Sequence, residues 1–180
     1  MHHPADQVAW FKNTDGDGIF EVGRDISTTS DGAQRVALAD FAGDGNLDIV
    51  LASTSDRLEW FKNSDGVFSL GVEFEEQTTA VGAMDIATAD FDGDGNTDFV
   101  SASFDETANS PEFPSGRLIY FKNDGAGSFE AGTDIGLLDS VRSVVAVDMD
   151  NDGDFDIVAC DYVGGRIVWY ENDGQGDFSA

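Results

Sequence analysis

Internal repetition constrains this chain more than any other feature, because a sequence that repeats at a fixed period stacks one small unit upon another. One block occurs three times, as Val36 to Val50 (VALADFAGDGNLDIV), Ile86 to Val100 (IATADFDGDGNTDFV) and Val144 to Val158 (VVAVDMDNDGDFDIV). A second occurs four times, as Trp10-Phe11-Lys12-Asn13, Trp60-Phe61-Lys62-Asn63, Tyr120-Phe121-Lys122-Asn123 and Tyr170-Glu171-Asn172. The acidic starts of the first block, Asp40, Asp90 and Asp148, are spaced by 50 and 58 residues. The longer interval holds an insertion, roughly Phe104 to Ser115, whose Ser, Pro, Asn and Glu predict an exposed loop.

Each repeat predicts four short strands. In the first complete copy these are Val36–Ala39, Ile49–Ser53, Leu58–Phe61 and a run after Phe68. The runs are β-branched or aromatic and end at Gly, Asn or Asp, and no long window keeps a helical period. Asn-Asp-Gly-type turns, such as Asn63-Ser64-Asp65-Gly66 and Asn123-Asp124-Gly125, supply the positive φ that a hairpin between strands three and four needs. The expectation is an all-β chain of four-stranded antiparallel β-propeller blades, about three and a half repeats in one domain over residues 1–180. The units run about 5–34 (a half repeat), 35–83, 84–141 and 142–180.

Charge excludes several functions. The chain carries 36 acidic and 9 basic residues, a net −27, which repels nucleic acid and anionic membrane. The hydrophobic fraction of 41% is still enough for a core, so a fully disordered chain is not expected. No apolar run is long enough to cross a bilayer as a helix, and no membrane insertion is expected. A single cysteine, Cys160, leaves no intrachain disulfide, and the two histidines, His2 and His3, leave little for histidine catalysis.

The first block carries the chemistry. Its pattern is Asp-x-Asp-x-Asp-Gly-x-x-Asp: Asp90, Asp92, Asp94 and Asp98 in the second copy, and Asp148, Asp150, Asp152 and Asp156 in the third. Four carboxylates in nine residues repel one another unless a cation lies between them. The glycine at position six permits the bend that turns them inward. Oxygen ligands at positions 1, 3, 5 and 9, with a backbone carbonyl at position 7 (Asn96 or Asp154), form a calcium cage. The first copy keeps Asp40, Asp44, Asn46 and Asp48 but has Ala42 at position three, so its site is weaker. Up to three Ca2+ are expected. The twelfth residues, Leu51, Ser101 and Ala159, and the lack of flanking helices exclude an EF-hand.

The text ADFDGDGNTDFVSAS followed by GRLIYFKNDGAGSFEAGTDIG resembles the FG-GAP/VCBS repeats of integrin-α-like β-propellers. The resemblance covers nearly the whole chain. It implies that the acidic loop joins strands one and two of a blade, and that calcium stiffens this hairpin. It further implies an extracellular or cell-surface adhesion or recognition module with a protein or glycan ligand and no catalytic residues. The alternative it leaves is a polysaccharide lyase or hydrolase, for which Asp105, Glu106 and Glu112 in the insertion are the non-repeated carboxylates.

The remaining repeated residues point to structure. Trp10, Trp60, Tyr120 and Tyr170 are expected in the core, and Lys12, Lys62 and Lys122 beside nearby acids. Arg57, Arg117 and Arg166 open strand three in structural pairs. Cys160, aligned with Ala52 and Ala102, is expected to be a buried inert thiol. Alternating strand direction puts the acidic loops and Asn-Asp-Gly turns at one end of the sheets. The variable connections lie at the other, where ligand is expected near Phe104–Gly116 with Phe113 as anchor. Three and a half repeats leave a ring open. Missing chain closes it, or a second copy does, giving a dimer of about seven blades.

Overall fold

The computed structural model describes residues 7–14, 16–54, 58–74, 82–104 and 116–180. These form strands joined by turns and bends, with no helix among them. A two-stranded ribbon, β1 (Val8–Trp10) and β2 (Arg24–Ser27), comes first. The first four-stranded sheet has β3 (Ala33–Ala39), β4 (Asp48–Ser53), β5 (Leu58–Ser64) and β6 (Val67–Phe74). The second has β7 (Ala83–Ala89), β8 (Asp98–Phe104), β9 (Gly116–Phe121) and β10 (Thr133–Leu138). The third has β11 (Val141–Val147), β12 (Asp156–Asp161), β13 (Arg166–Asn172) and the two-residue β14 (Phe178–Ser179). Every sheet is an antiparallel meander in chain order.

The register repeats with the sequence. The first strand of each sheet has an irregularity at the same place, between Ala33 and Arg35, Ala83 and Asp85, and Val141 and Ser143. These bulges re-aim the intervening side chains. Asp85 ties the three first strands together: its carboxylate pairs with Arg35 Nε at 3.1 Å and accepts from Ser143 Oγ at 3.0 Å and the Val144 amide at 3.1 Å.

Register also corrects one alignment. Val50 faces Trp60 and Val100 faces Tyr120, but Val158 faces Trp169. Trp169, not Tyr170, is therefore the third sheet's equivalent of Trp60. Tyr170 takes the place of Phe61 and Phe121, and Glu171 that of Lys62 and Lys122. The block is Trp169-Tyr170-Glu171-Asn172, and anchoring it on the tyrosine shifted the match by one residue.

The core lies between sheets rather than within them. Val50, Ala52, Leu58 and Trp60 of the first sheet pack on Ile86, Phe99, Ile119 and Phe121 of the second. Val100, Ala102, Leu118 and Tyr120 pack in turn on Val144, Ile157, Ala159 and Tyr170 of the third. A smaller cluster joins Val8 of the ribbon to Ile49, Leu51 and Phe61. Strands β4 and β8 are buried on both faces for all or most of their length, so even Ser53, Ser101 and Ser103 are buried.

Cys160 departs from expectation. Ala52 and Ala102 are fully buried because a following sheet covers them, whereas Cys160 faces outward from the last sheet and is exposed.

Candidate metal centre

Each acidic segment joins strands one and two of its sheet, and its shape follows from carboxylates capturing nearby amides. Asp40, Asp90 and Asp148 at position one accept the amides of Gly45, Gly95 and Gly153, at 2.7, 2.9 and 3.2 Å. Those glycines have φ of 87°, 90° and 106°, which side-chain-bearing residues rarely adopt. Asp44, Asp94 and Asp152 at position five accept the amide two residues on, Asn46, Asn96 or Asp154, at 3.1, 2.8 and 2.9 Å.

The aspartate at position nine anchors the loop to its sheet. Asp48, Asp98 and Asp156 are fully buried. One oxygen of each accepts the amide of the strand-three asparagine, Asn63, Asn123 or Asn172, at 2.7, 2.7 and 2.9 Å. The other accepts an amide at the loop's start, from Ala42, Phe91 or Met149, at 3.1, 3.2 and 3.0 Å. Asp98 also receives the Tyr120 hydroxyl at 2.9 Å. Burial pushes the Asp98 carboxyl up to about 6 despite these donors, and raises Asp48 too. The sequence pattern could not show this second role for a residue it marks as a ligand.

The three loops differ as cation sites. Asp90, Asp92 and Asp98 offer oxygens within 4.8 Å of one another, and so do Asp148, Asp150 and Asp152. Among the described residues the first loop, with Ala42 at position three, brings no such trio together. In the second loop Asp90 Oδ1 is buried with no hydrogen-bond partner among the described residues. Asp92 instead pairs with Lys122 Nζ, which also lies 3.7 Å from Asp94. Lys62 Nζ similarly meets Asp44 at 3.2 Å. The Asp44 carboxyl is held low by the Asn46 amide and side chain and by Lys62, and Lys122 is held high chiefly by Asp92. These lysines sit beside acids, as the sequence led one to expect.

The third loop has no such ammonium among the described contacts, because Glu171 stands in the lysine's place. There Asp154 is raised by partial desolvation and by Asp152, Asp148, Asp173 and Asp150 around it. An oxygen-only donor set, a buried orphan carboxylate oxygen and uncompensated negative charge fit a hard divalent cation. The acidic clusters of the second and third loops could hold one.

Elsewhere, Arg117 pairs with Asp134 at 3.2 Å and Arg166 with Asp161 at 3.0 Å, as structural pairs. Trp60 and Tyr120 are buried. Arg57, the candidate acids Asp105, Glu106 and Glu112, and the anchor Phe113 lie outside the described residues.

A model of the family described as FG-GAP-like repeat matches residues 40–101 and 108–159. No curated protein matches the chain. Among solved structures, the chain is similar to one titled for specific recognition of non-reducing terminal N-acetylglucosamine by an Agrocybe aegerita lectin. The TM-score is 0.61 at 20% identity, over 97% of this chain and 45% of that one. This chain thus spans less than half of that neighbour's length.

Proposed function

Because this chain belongs to the FG-GAP-like repeat family, we propose that it is a calcium-stabilised recognition module of propeller type that works outside the cell. The carrying observation is a contrast between the two ends of the sheets. One end repeats the acidic loops and hairpin turns; the other carries an unrepeated aromatic cluster. There the Arg142 guanidinium lies over the rings of Phe104 and Tyr162, at 5.0 and 5.4 Å. Tyr162 is 71% exposed. The equivalents of Arg142 in the other sheets are Gln34 and Met84, so the cluster belongs to one place only. An exposed tyrosine ring beside a half-buried phenylalanine, both held by a cation, suits the apolar face of a sugar ring.

In this function the metal is structural. Asp90, Asp92, Asp94, Asn96 and Asp98 would hold one Ca2+, and Asp148, Asp150, Asp152, Asp154 and Asp156 another. Asp40, Asp44, Asn46 and Asp48 would hold a third more weakly. The ion neutralises carboxylates and locks the hairpin, adding its binding energy to stability. A glycan is the favoured ligand, by analogy with the lectin neighbour. Melting with and without chelator tests the metal: a large fall in Tm is expected, restored by Ca2+ better than by Mg2+, and an unchanged curve overturns it. A glycan array that includes N-acetylglucosamine-terminated sugars tests the ligand. Binding lost in Tyr162→Ala supports the aromatic site, and binding retained in that variant removes it.

A further inference from the structure

Acidic residues outnumber basic ones by 36 to 9, so a cation on this chain rarely lacks a carboxylate within reach. Arg24 pairs with Glu21, Arg35 with Asp85, Arg117 with Asp134 and Arg166 with Asp161, all between 3.0 and 3.2 Å. Lys62 and Lys122 pair with loop aspartates. Arg142 is different. Among the described residues no carboxylate pairs with it and no oxygen accepts from its N–H groups. Its guanidinium lies instead over the rings of Phe104 and Tyr162.

The fold itself does not call for a cation at this place. One backbone hydrogen bond marks the equivalent position in each sheet: the amides of Thr54, Phe104 and Tyr162 donate to the carbonyls of Gly32, Gly82 and Ser140, at 2.9, 3.0 and 2.8 Å. Gln34, Met84 and Arg142 each stand two residues beyond the accepting carbonyl. The first two sheets therefore build the same element with a neutral side chain, and the first has Thr54 where the others have an aromatic ring. A guanidinium that lies on rings uses its flat face for that contact and keeps its N–H donors at its edge. Arg142 is exposed, so a solute can reach that edge.

We infer that Arg142 reads a carboxylate, and that the ligand of the aromatic site is an acidic sugar: one pyranose ring bearing one carboxylate. The inference rests on the glycan reading of that site. The carboxylate takes paired N–H bonds from the guanidinium edge, and the apolar face of the sugar lies against Tyr162. Electrostatics sets the limit at a single carboxylate. The nearest acidic loop along β11 begins at Asp148, six residues beyond Arg142. At about 3.4 Å per residue that is ~20 Å, more than two Debye lengths of about 8 Å at physiological salt. Asp161, nearer by, is already paired with Arg166. One carboxylate thus meets one local cation, whereas a polyanion brings its further charges against a net −27.

Ligand-observed NMR titration on the full chain, with calcium and at physiological salt, tests this with matched probes. Methyl glucuronide and methyl glucoside differ only in the carboxylate, and the methyl glycoside of N-acetylneuraminic acid supplies a second acidic ring. At least one acid should bind about 10-fold more tightly than the glucoside, and the ranking of the two shows which placement of the carboxylate fits. Arg142→Gln should abolish that preference and leave the glucoside's affinity unchanged within 2-fold. The variant copies Gln34 of the equivalent position, and a melting curve verifies its fold. Lys12→Gln removes an exposed cation elsewhere and should leave the preference intact, which separates a local contact from net charge. Equal binding of acids and glucoside, or a preference that survives Arg142→Gln, overturns the inference and leaves a neutral-glycan site standing. A site that binds no sugar removes the glycan reading and this inference with it. Displacement of the acidic sugar by N-acetylaspartate at equal concentration would show recognition of a carboxylate without a sugar, and overturns it too.

Discussion

A single lysine sets the terms on which the second acidic loop would take a cation. Lys122 occupies Asp92 and lies near Asp94, so an incoming ion must displace it. Lys122→Met should raise calcium affinity at this loop by about 2- to 5-fold, the range expected for a partly exposed ion pair. Calorimetric titration checks this, and unchanged affinity would show that the ammonium leaves at no cost. Asp161 permits a pH test far from the loops. Its buried carboxylate accepts the Ser140 and Gly164 amides at 3.0 and 3.1 Å and pairs with Arg166. Burial raises its pKa, but the Gly164 amide, Arg166 and the Ser140 and Asp139 amides outweigh it and hold the group below its ordinary 3.8. A depressed folded-state pKa gives stability that is full above 3.8 and lost as pH falls through the lower folded value. Asp161→Asn should therefore cost about 1–3 kcal/mol near neutral pH. Its denaturation midpoint should converge on that of the parent in strong acid, and a pH-independent gap would contradict the charge argument.

Strand three and its turn form the element that couples neighbouring sheets. Trp60 reaches from β5 into the space above Gly127 in the next sheet's turn, and Phe129 covers it. Gly127→Ala meets two obstacles, a φ of 81° and the indole edge. Gly165→Ala meets only the first, since φ is 63° and no atom lies within 4 Å. The Gly165 variant should lose about 1–2 kcal/mol from backbone strain. The Gly127 variant should lose about 1–3 kcal/mol more from overpacking. Equal losses in chemical denaturation would mean that the turn yields freely to the indole. Asn123 does similar work with hydrogen bonds. Its side chain donates both to Phe41 beside the previous sheet and to Thr97 in its own loop. With Asn63 donating to Leu47 and Asn172 to Phe91, the first two acidic loops are each held from two sheets.

For the whole molecule, a net charge of −27 is the dominant long-range term. The acids are concentrated at the loop end, where bound cations relieve the densest clusters. In chelator, monovalent salt should raise Tm by screening this repulsion, and the increment should shrink once calcium is bound. Fluorimetric melting across a salt series distinguishes the two states, and equal salt slopes would show that the ions do not sit among the repelling carboxylates.

The sequence alone determined what local chemistry controls. Short β-branched and aromatic runs bounded by Gly, Asn or Asp marked the strands, Asn-Asp-Gly turns the hairpins, and Asp-x-Asp-x-Asp-Gly the loops whose carboxylates fold back on their own amides. Each of those effects acts within a few residues, so a repeat of text is a repeat of structure. Packing between sheets decided the rest. It moved the third sheet's aromatic from Tyr170 to Trp169, because pairing with Val158 rather than residue type sets the register. It left Cys160 in solvent where Ala52 and Ala102 are buried, because those alanines pack against the sheet next to theirs. It also turned the last aspartate of each loop into a buried anchor for strand three. That role depends on an asparagine 15 to 25 residues away, which spacing within the loop does not contain.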